Sequence, residues 1–162
     1  MKLKTLKYQT NNGQIGIIRP ATLDEAKTIV QIENEAFGRL NTSLKKIKHQ
    51  IKHPNKYVWL VAEQNNQIVG FQGIEWKNSL TFHLIGLGVW PKMRHQNIGQ
   101  ALFTAPEKIA KLNNVKYLMF EVRQSNTVQK MYFNCGYLVT GFKRFYYSHP
   151  REGAVLMIKI LK

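Results

Sequence analysis

The 162-residue chain predicts a mixed α/β fold: a mostly antiparallel, twisted sheet with helices laid against it. Three observations carry this. Short apolar runs bounded by polar turns recur through the middle of the chain, as in antiparallel strands. Three other stretches repeat apolar residues at helical spacing. After residue 80, strand and helix patterns alternate, which calls for a β-α-β crossover with helices covering the sheet. The expected order is β-α-α-β-β-β-α-β-α-β-β, about seven strands and about four helices, in a single domain over 1–162.

QIGIIR (14–19) reads as the first strand, and Pro20 ends it. Thr22-Leu23-Asp24-Glu25 has the capping-box pattern; Leu23, Ala26, Ile29, Val30 and Ala36 follow at helical intervals to a stop near Phe37 and Gly38. A shorter helix starts at Ser43, with Leu44, Ile47 and Ile51 on one face. YVWLVAE (57–63) and QIVGFQGIEW (67–76) are strands joined by the hairpin-length Gln64-Asn65-Asn66. Lys77-Asn78-Ser79 leads into LTFHLIGLGV (80–89). A helix is expected over 98–112; Pro106 inside it removes an N–H and should kink it. VKYLMFEV (115–122) is a strand. Ser125 and Asn126 offer an N-cap for a helix running to Cys135, and Gly136 is a natural stop. YLVTGFKRFYY (137–147) and AVLMIKI (154–160) are the last strands, around the loop SHPREG.

Composition narrows the functional classes. No window approaches 18 consecutive apolar residues, so no membrane-spanning helix is expected. The N-terminal MKLKTLKYQTNNG has no apolar core of signal-peptide length, and a cytoplasmic location is expected. Cys135 is the only cysteine, which precludes an intrachain disulfide and suits a reducing compartment; it reads as a quiet, packed thiol. Lys and Arg number 24 against 9 Asp and Glu, a formal net charge of +15. Such a field draws polyanions: RNA, ribosomes, phosphorylated cofactors. The basic residues are scattered, which argues against a dedicated nucleic-acid-binding motif. His49 and His53 stand four apart but lack a nearby third ligand, so no metal site is expected. His83 reads as a packed or surface histidine, and Glu75 as a reserve base. The aromatics Trp59, Phe71, Trp76, Phe82 and Trp90 follow strand positions and suit core or cleft packing.

The segment GVWPKMRHQNIGQALF (88–103) passes from a strand through a proline into a basic turn and a helix. It is either a connecting loop or a seat for phosphate. N–H groups at a helix start have no partner within the helix, and the dipole there favours anions. Gly99 and Ala101 would let a ligand approach closely, Asn97 tolerates a left-handed backbone, and Arg94 adds charge. Further on, MFEVRQSNTVQKMYFNCGY (119–137) carries Glu121 on a strand and Tyr132 on the following helix. From the residues alone, Glu121 is an ion-paired or solvated acid or a base, Tyr132 is core or an acid, and Asn126 is a cap.

VWPKMRHQNIGQAL resembles the acyl-CoA signature of the GNAT superfamily of N-acetyltransferases: a Val-x-Pro-x-x-Arg lead, then Arg/Gln-x-x-Gly-x-Gly/Ala at the helix start. Arg94, His95, Gln96, Asn97, Ile98 and Gly99 fill it, with Asn97 where glycine is usual. A second register, Gln96-x-x-Gly99-x-Ala101, also fits, but the Val89-x-Pro91 lead favours the first. The element order is also the GNAT order. The resemblance implies acetyl-CoA as co-substrate and no metal. The diphosphate is expected on main-chain groups from Arg94 through Gln100 and Ala101, and the pantetheine arm on Leu87, Gly88 and Val89, where a bulge between Gly86 and Gly88 would splay the strand. The wording F-E-V-R-x-S-N, M-Y-x-x-x-G-Y and G-F-K-R-F-Y-Y is similar to the branch of ribosomal-protein-alanine and related N-terminal acetyltransferases. That likeness implies Glu121 as general base, Tyr132 as the acid for the thiolate, Asn126 against the pantetheine arm, and Tyr146 and Tyr147 shaping the peptide entrance. Glu152-Gly153-Ala154 departs from the usual Glu-Asp-Ala.

Proton arithmetic favours an α-amine acceptor. With a reference pKa near 8, roughly a tenth of an α-amine is neutral at pH 7, against about four in ten thousand for lysine. The acceptor is therefore expected to be an amine, foremost a protein N-terminus, with association with the ribosome in keeping with the charge and the chain a monomer or homodimer. Acetylation of a small amine such as a polyamine or aminoglycoside, and a non-catalytic basic RNA-associated module, are the alternatives.

Overall fold

The structure, a computed structural model, describes residues 2–38 and 43–162. Its centre is one eight-stranded sheet in the order β1-β2-β3-β4-β5-β6-β8-β7. The strands are β1 (Leu6–Gln9), β2 (Ile15–Pro20), β3 (Tyr57–Gln64), β4 (Gln67–Asn78), β5 (Thr81–Val89), β6 (Tyr117–Arg123), β7 (Leu138–Ser148) and β8 (Arg151–Ile160). The helices are α1 (Ala26–Phe37), α2 (Leu44–Ile51), α3 (Ile98–Leu112) and α4 (Gln129–Asn134). Neighbouring strands are antiparallel except β5 and β6, which are parallel and bridged by α3.

The expected count of seven strands is one short. β1 escaped because only four residues alternate, Leu6 and Tyr8 inward, among surface lysines. It pairs with β2 through a turn closed by Gly13 at φ 84°. Other boundaries shift. The β3–β4 turn contracts to Asn65 and Asn66, both at positive φ, the geometry that twists a two-residue hairpin correctly. The loop SHPREG mostly joins the strands, which run to Ser148 and resume at Arg151.

Side-chain alternation sorts the strands' residues onto two faces. Trp59, Val61 and Phe71 meet Ala26, Ile29 and Ile32 of α1 and Ile47 of α2 on one face. Leu60, Ala62, Phe82, Leu118 and Phe120 meet Leu102, Phe103 and Ile109 of α3 and Tyr132 of α4 on the other. β3 is buried on both faces, which explains its nearly unbroken apolar run.

Helix ends follow local hydrogen bonding. The Thr22 N–H donates to Glu25 Oε2 at 2.7 Å, the back-reaching half of a capping box. Regular helix nevertheless starts only at Ala26: the Glu25 and Ala26 N–H groups bond the Thr22 and Leu23 carbonyls three residues back, at 3.2 and 3.4 Å, a tighter turn than an α-helix makes. α3 runs unbroken through Pro106. α4 begins at Gln129, not at Ser125 or Asn126; Asn126 Oδ1 instead accepts the Val128 N–H at 2.9 Å, a side-chain turn that competes with helix. Gly136, at φ 82°, stops the helix, and the Tyr137 N–H returns to the Tyr132 carbonyl at 3.1 Å.

Candidate active site

The turn before α3 presents main-chain donors. One 3-10 turn, Pro91–Met93, follows β5, and His95 and Asn97 then take left-handed conformations at φ 60° and 68°. The Ala101 N–H bonds the Asn97 carbonyl at 3.0 Å, so the N–H groups of Ile98, Gly99 and Gln100 precede the first helical bond and face out of the helix end. The Ile98 side chain is buried, leaving only its main chain to serve a ligand. At Gly99 an added Cβ would meet nothing nearer than Val89 Cγ2 at 3.8 Å. The protein's own packing therefore does not demand glycine there; an approaching ligand would. Arg94 is turned to the end of α1, donating to the Ala36 carbonyl at 3.0 Å. Asn97 Nδ2 donates to the Gln9 carbonyl at 3.0 Å and Asn11 Nδ2 to the His95 carbonyl at 2.9 Å, so the β1–β2 hairpin braces the turn.

β5 pairs with β6 only from Thr81 to His83, against Tyr117 to Met119; beyond that the strands part. The bulge in β5 lies at Ile85, between Leu84 opposite Ile74 and Gly86 opposite Gly73. It is two residues earlier than expected, and Leu87 pairs regularly with Gln72. Gly88 has a packing cause instead: a Cβ there would come within 2.6 Å of the Phe71 ring. Past the parting, the main chain of Leu87, Gly88 and Val89 borders a gap in the sheet.

Glu121 and Phe120, adjacent on β6, point to opposite faces. Glu121 lies on the α1–α2 side. His83 Nε2 donates to its Oε2 at 2.6 Å and Lys143 Nζ to its Oε1 at 2.8 Å. His83 Nδ1 in turn faces Glu75 Oε2 at 3.6 Å, and Lys77 holds Glu75 at 2.8 Å. Burial alone would raise the pKa of Glu121; the bonds from Lys143 and His83 outweigh it and hold the carboxyl below the usual range. Glu75 is lowered likewise, its burial outweighed by Lys77 and His83. Each Glu121 oxygen still has a lone pair for a further donor.

Tyr132 sits across β6 on the other face, its ring 4.9 Å from Phe120 and 5.0 Å from Phe103. Burial raises its pKa, and a hydrogen bond with Asn126 only partly offsets this, so the phenol is protonated at neutral pH. Tyr147 donates to the Glu121 main-chain carbonyl at 3.2 Å and lies beneath the Arg123 guanidinium, 4.1 Å from its centroid. Burial pushes its phenol up to about 12. Tyr146 is more exposed and meets Tyr147 edge-on at 5.0 Å.

The sequence-expected residues thus form three groups: the turn residues at the start of α3; Leu87, Gly88 and Val89 at the end of β5; and Glu121, Tyr132, Asn126, Tyr146 and Tyr147 around the β6 end of the gap. His83 was missed as part of this set. Its alternation on β5 marked it as inward or outward but not its neighbours, because pairing with β6 spans a helix. Glu75 stands behind His83 rather than in its place. A cavity of about 260 Å³ opens beside Glu75, lined by Glu33, Gln50, Tyr57, Trp59 and Ile85. The His49 and His53 rings lie tilted against each other, their centroids 4.2 Å apart. Cys135 is half-buried, and burial raises its thiol pKa.

Comparison with known proteins agrees with this fold. Residues 23–146 match the acetyltransferase (GNAT) domain family. A Bacillus subtilis (strain 168) protein, provisionally named ribosomal protein bS18-alanine N-acetyltransferase, is 26% identical over 141 residues, covering 86% of this chain and 92% of its own. The ribosomal-protein-S18-alanine N-acetyltransferase of Escherichia coli superposes with a TM-score of 0.82 at 22% identity, over 91% of this chain and 94% of that one. The PaiA N-acetyltransferase of Thermoplasma acidophilum, solved with coenzyme A, gives 0.75 at 19% identity, over 90% and 99%. With most of its length inside the matched domain, this chain belongs to the GNAT acetyltransferase family.

Proposed function

We propose that the protein transfers an acetyl group from acetyl-CoA to the N-terminal α-amine of a protein, foremost a ribosomal protein. The observation that carries this reading is the placement of Glu121 and Tyr132 on opposite faces of β6, beside the gap where β5 leaves it. A thioester entering along the α3 face and an amine entering from the α1–α2 face would meet there. The free N–H groups of Ile98, Gly99 and Gln100 would hold the diphosphate, with Arg94, His95, Gln96, Asn97 and Ala101 shaping the turn and Asn126 beside the pantetheine arm.

The proton steps suit these groups. The neutral fraction of an α-amine attacks; as the C–N bond forms, its nitrogen becomes strongly acidic, so a carboxylate of low pKa suffices to accept the proton. Glu121 is that acceptor, and the bond that His83 Nε2 donates to its Oε2 holds the carboxylate in place. Tyr132 supplies a proton to the leaving thiolate. Tyr146 and Tyr147 border the acceptor's entrance, and the cavity beside Glu75 suits its first side chain. The names of the bS18-modifying relatives support a ribosomal acceptor and, with it, a cytoplasmic location. The exposed lysines Lys45 and Lys48 on α2 and Lys52 just past its end suit a polyanionic particle as the acceptor's carrier.

Incubation with acetyl-CoA and panels of N-terminal peptides, lysine-only peptides and polyamines, read by mass spectrometry, tests this. Acetylation at the α-amine is expected. Acetylation of polyamines alone would overturn the acceptor assignment.

A further inference from the structure

Gln72 on β4 is almost wholly buried, at 1% exposure. Its Nε2 donates to the Gly73 carbonyl at 2.7 Å and the Gly86 carbonyl at 2.8 Å. These bonds settle which end of the amide is which, since the reverse would set Oε1 against two carbonyl oxygens. Oε1 is left without a donor among the described residues. A buried acceptor in that state is costly and uncommon, and it points to a partner from outside the chain. Gln72 lines a cavity of about 80 Å³ with Leu84, Leu87, Phe103, Phe120 and Tyr132, in the gap between β5 and β6. Gln72 and Tyr132 carry the polar side-chain groups of this otherwise apolar lining, and with Nε2 tied to the strands, Oε1 is the Gln72 atom left for a further donor.

We propose that this cavity is the acyl pocket and that Gln72 sets the length of acyl group it takes, admitting acetyl and rejecting butyryl and longer chains. The inference rests on the acyl-transfer reading, in which Tyr132 in the cavity wall lies beside the thioester sulfur. At about 80 Å³, against the roughly 30 Å³ share of one water in the liquid, the cavity takes only a few small groups. An acetyl group leaves room for a water that donates to Oε1. A butyryl chain displaces that water and presses methylenes on an oxygen they cannot satisfy. Gln72 thus limits both the depth and the polarity of the pocket.

The test compares acetyl-CoA, propionyl-CoA and butyryl-CoA as donors for the wild type and for Gln72→Met, Gln72→Ala and Gln72→Asn, each checked for native melting. One methylene in a fitted pocket is worth about 10–200-fold in kcat/KM. The butyryl-to-acetyl ratio is expected to rise about tenfold or more in Gln72→Met and Gln72→Ala. In Gln72→Asn, which keeps the amide but withdraws it by one methylene, propionyl should gain and butyryl should not. A ratio within twofold of wild type in the folded Met and Ala variants overturns the proposal. If the wild type turns over no acyl-CoA, the transfer reading fails instead, and the pocket is then read from binding of ketone analogues of acetyl- and butyryl-CoA that cannot transfer. Wild-type preference for the shorter analogue, lost in the variants, supports the assignment; equal preference in all overturns it.

Discussion

At the scale of single residues, Glu121 is governed by competition between burial and its two donors. Lys143→Met removes a bond that lowers its pKa and leaves the burial that raises it. The folded-state pKa should therefore rise, and the acidic limb of the kcat/KM profile should move to higher pH; an unmoved limb would separate Glu121 from the proton step. His83→Ala should move it in the same direction. Tyr132→Phe keeps the ring that packs on Phe103 and Phe120 and removes only the donor. Turnover is expected to fall about 10²-fold or more, as general-acid loss does, with acetyl-CoA affinity within about threefold. Equal loss in both, by steady-state kinetics and calorimetry, would make Tyr132 a binding residue.

Among the elements, the start of α3 offers a cleaner discrimination than any side chain. Gly99 has open space around a would-be Cβ, so Gly99→Ala should be neutral or stabilising by up to about 1 kcal/mol from helix propensity. The same methyl stands where the diphosphate would approach, and acetyl-CoA affinity should drop about tenfold. Urea unfolding and calorimetry read the two effects separately. Asn97→Ala, in contrast, forces alanine into φ 68° and breaks the bond to the Gln9 carbonyl. Loss of about 1–2 kcal/mol is expected. Much of this element was legible in advance. The Val89-Pro91-Arg94 lead and the helix at Ile98 are local in sequence, and local patterns encode local structure. What was not legible depends on distant partners: the bracing of the turn by Gln9 and Asn11, the displacement of the β5 bulge to Ile85, and the union of His83 with Glu121 across a parallel pairing. The late start of α4 was also missed, because Asn126 can cap a helix or close a turn with equal chemistry.

For the whole molecule, charge sets the pH behaviour. The carboxyls of Glu25, Glu75, Glu107 and Glu121 are each held below 4.5, burial in every case being outweighed by hydrogen bonds, chiefly from Arg19, Lys77, Lys159 and Lys143. A lowered folded-state value means the unfolded chain binds protons first. Their stabilisation is thus complete above about pH 4.5 and is lost as pH falls through the folded values. Urea midpoints should be flat from neutrality to that point and fall steeply below it, while added salt should raise them near neutrality by screening the net charge of +15. The fold itself was readable because strand and helix periods alternate cleanly from residue 14 onward; only β1, four residues long, left too faint a period.

The most direct measurement is a crystal structure with coenzyme A and an acceptor peptide. The diphosphate is expected on the N–H groups of Ile98, Gly99 and Gln100, the sulfur beside Tyr132, and the peptide's amine on the Glu121 side of β6. A diphosphate bound elsewhere, or sulfur and amine on the same face of the sheet, would contradict it.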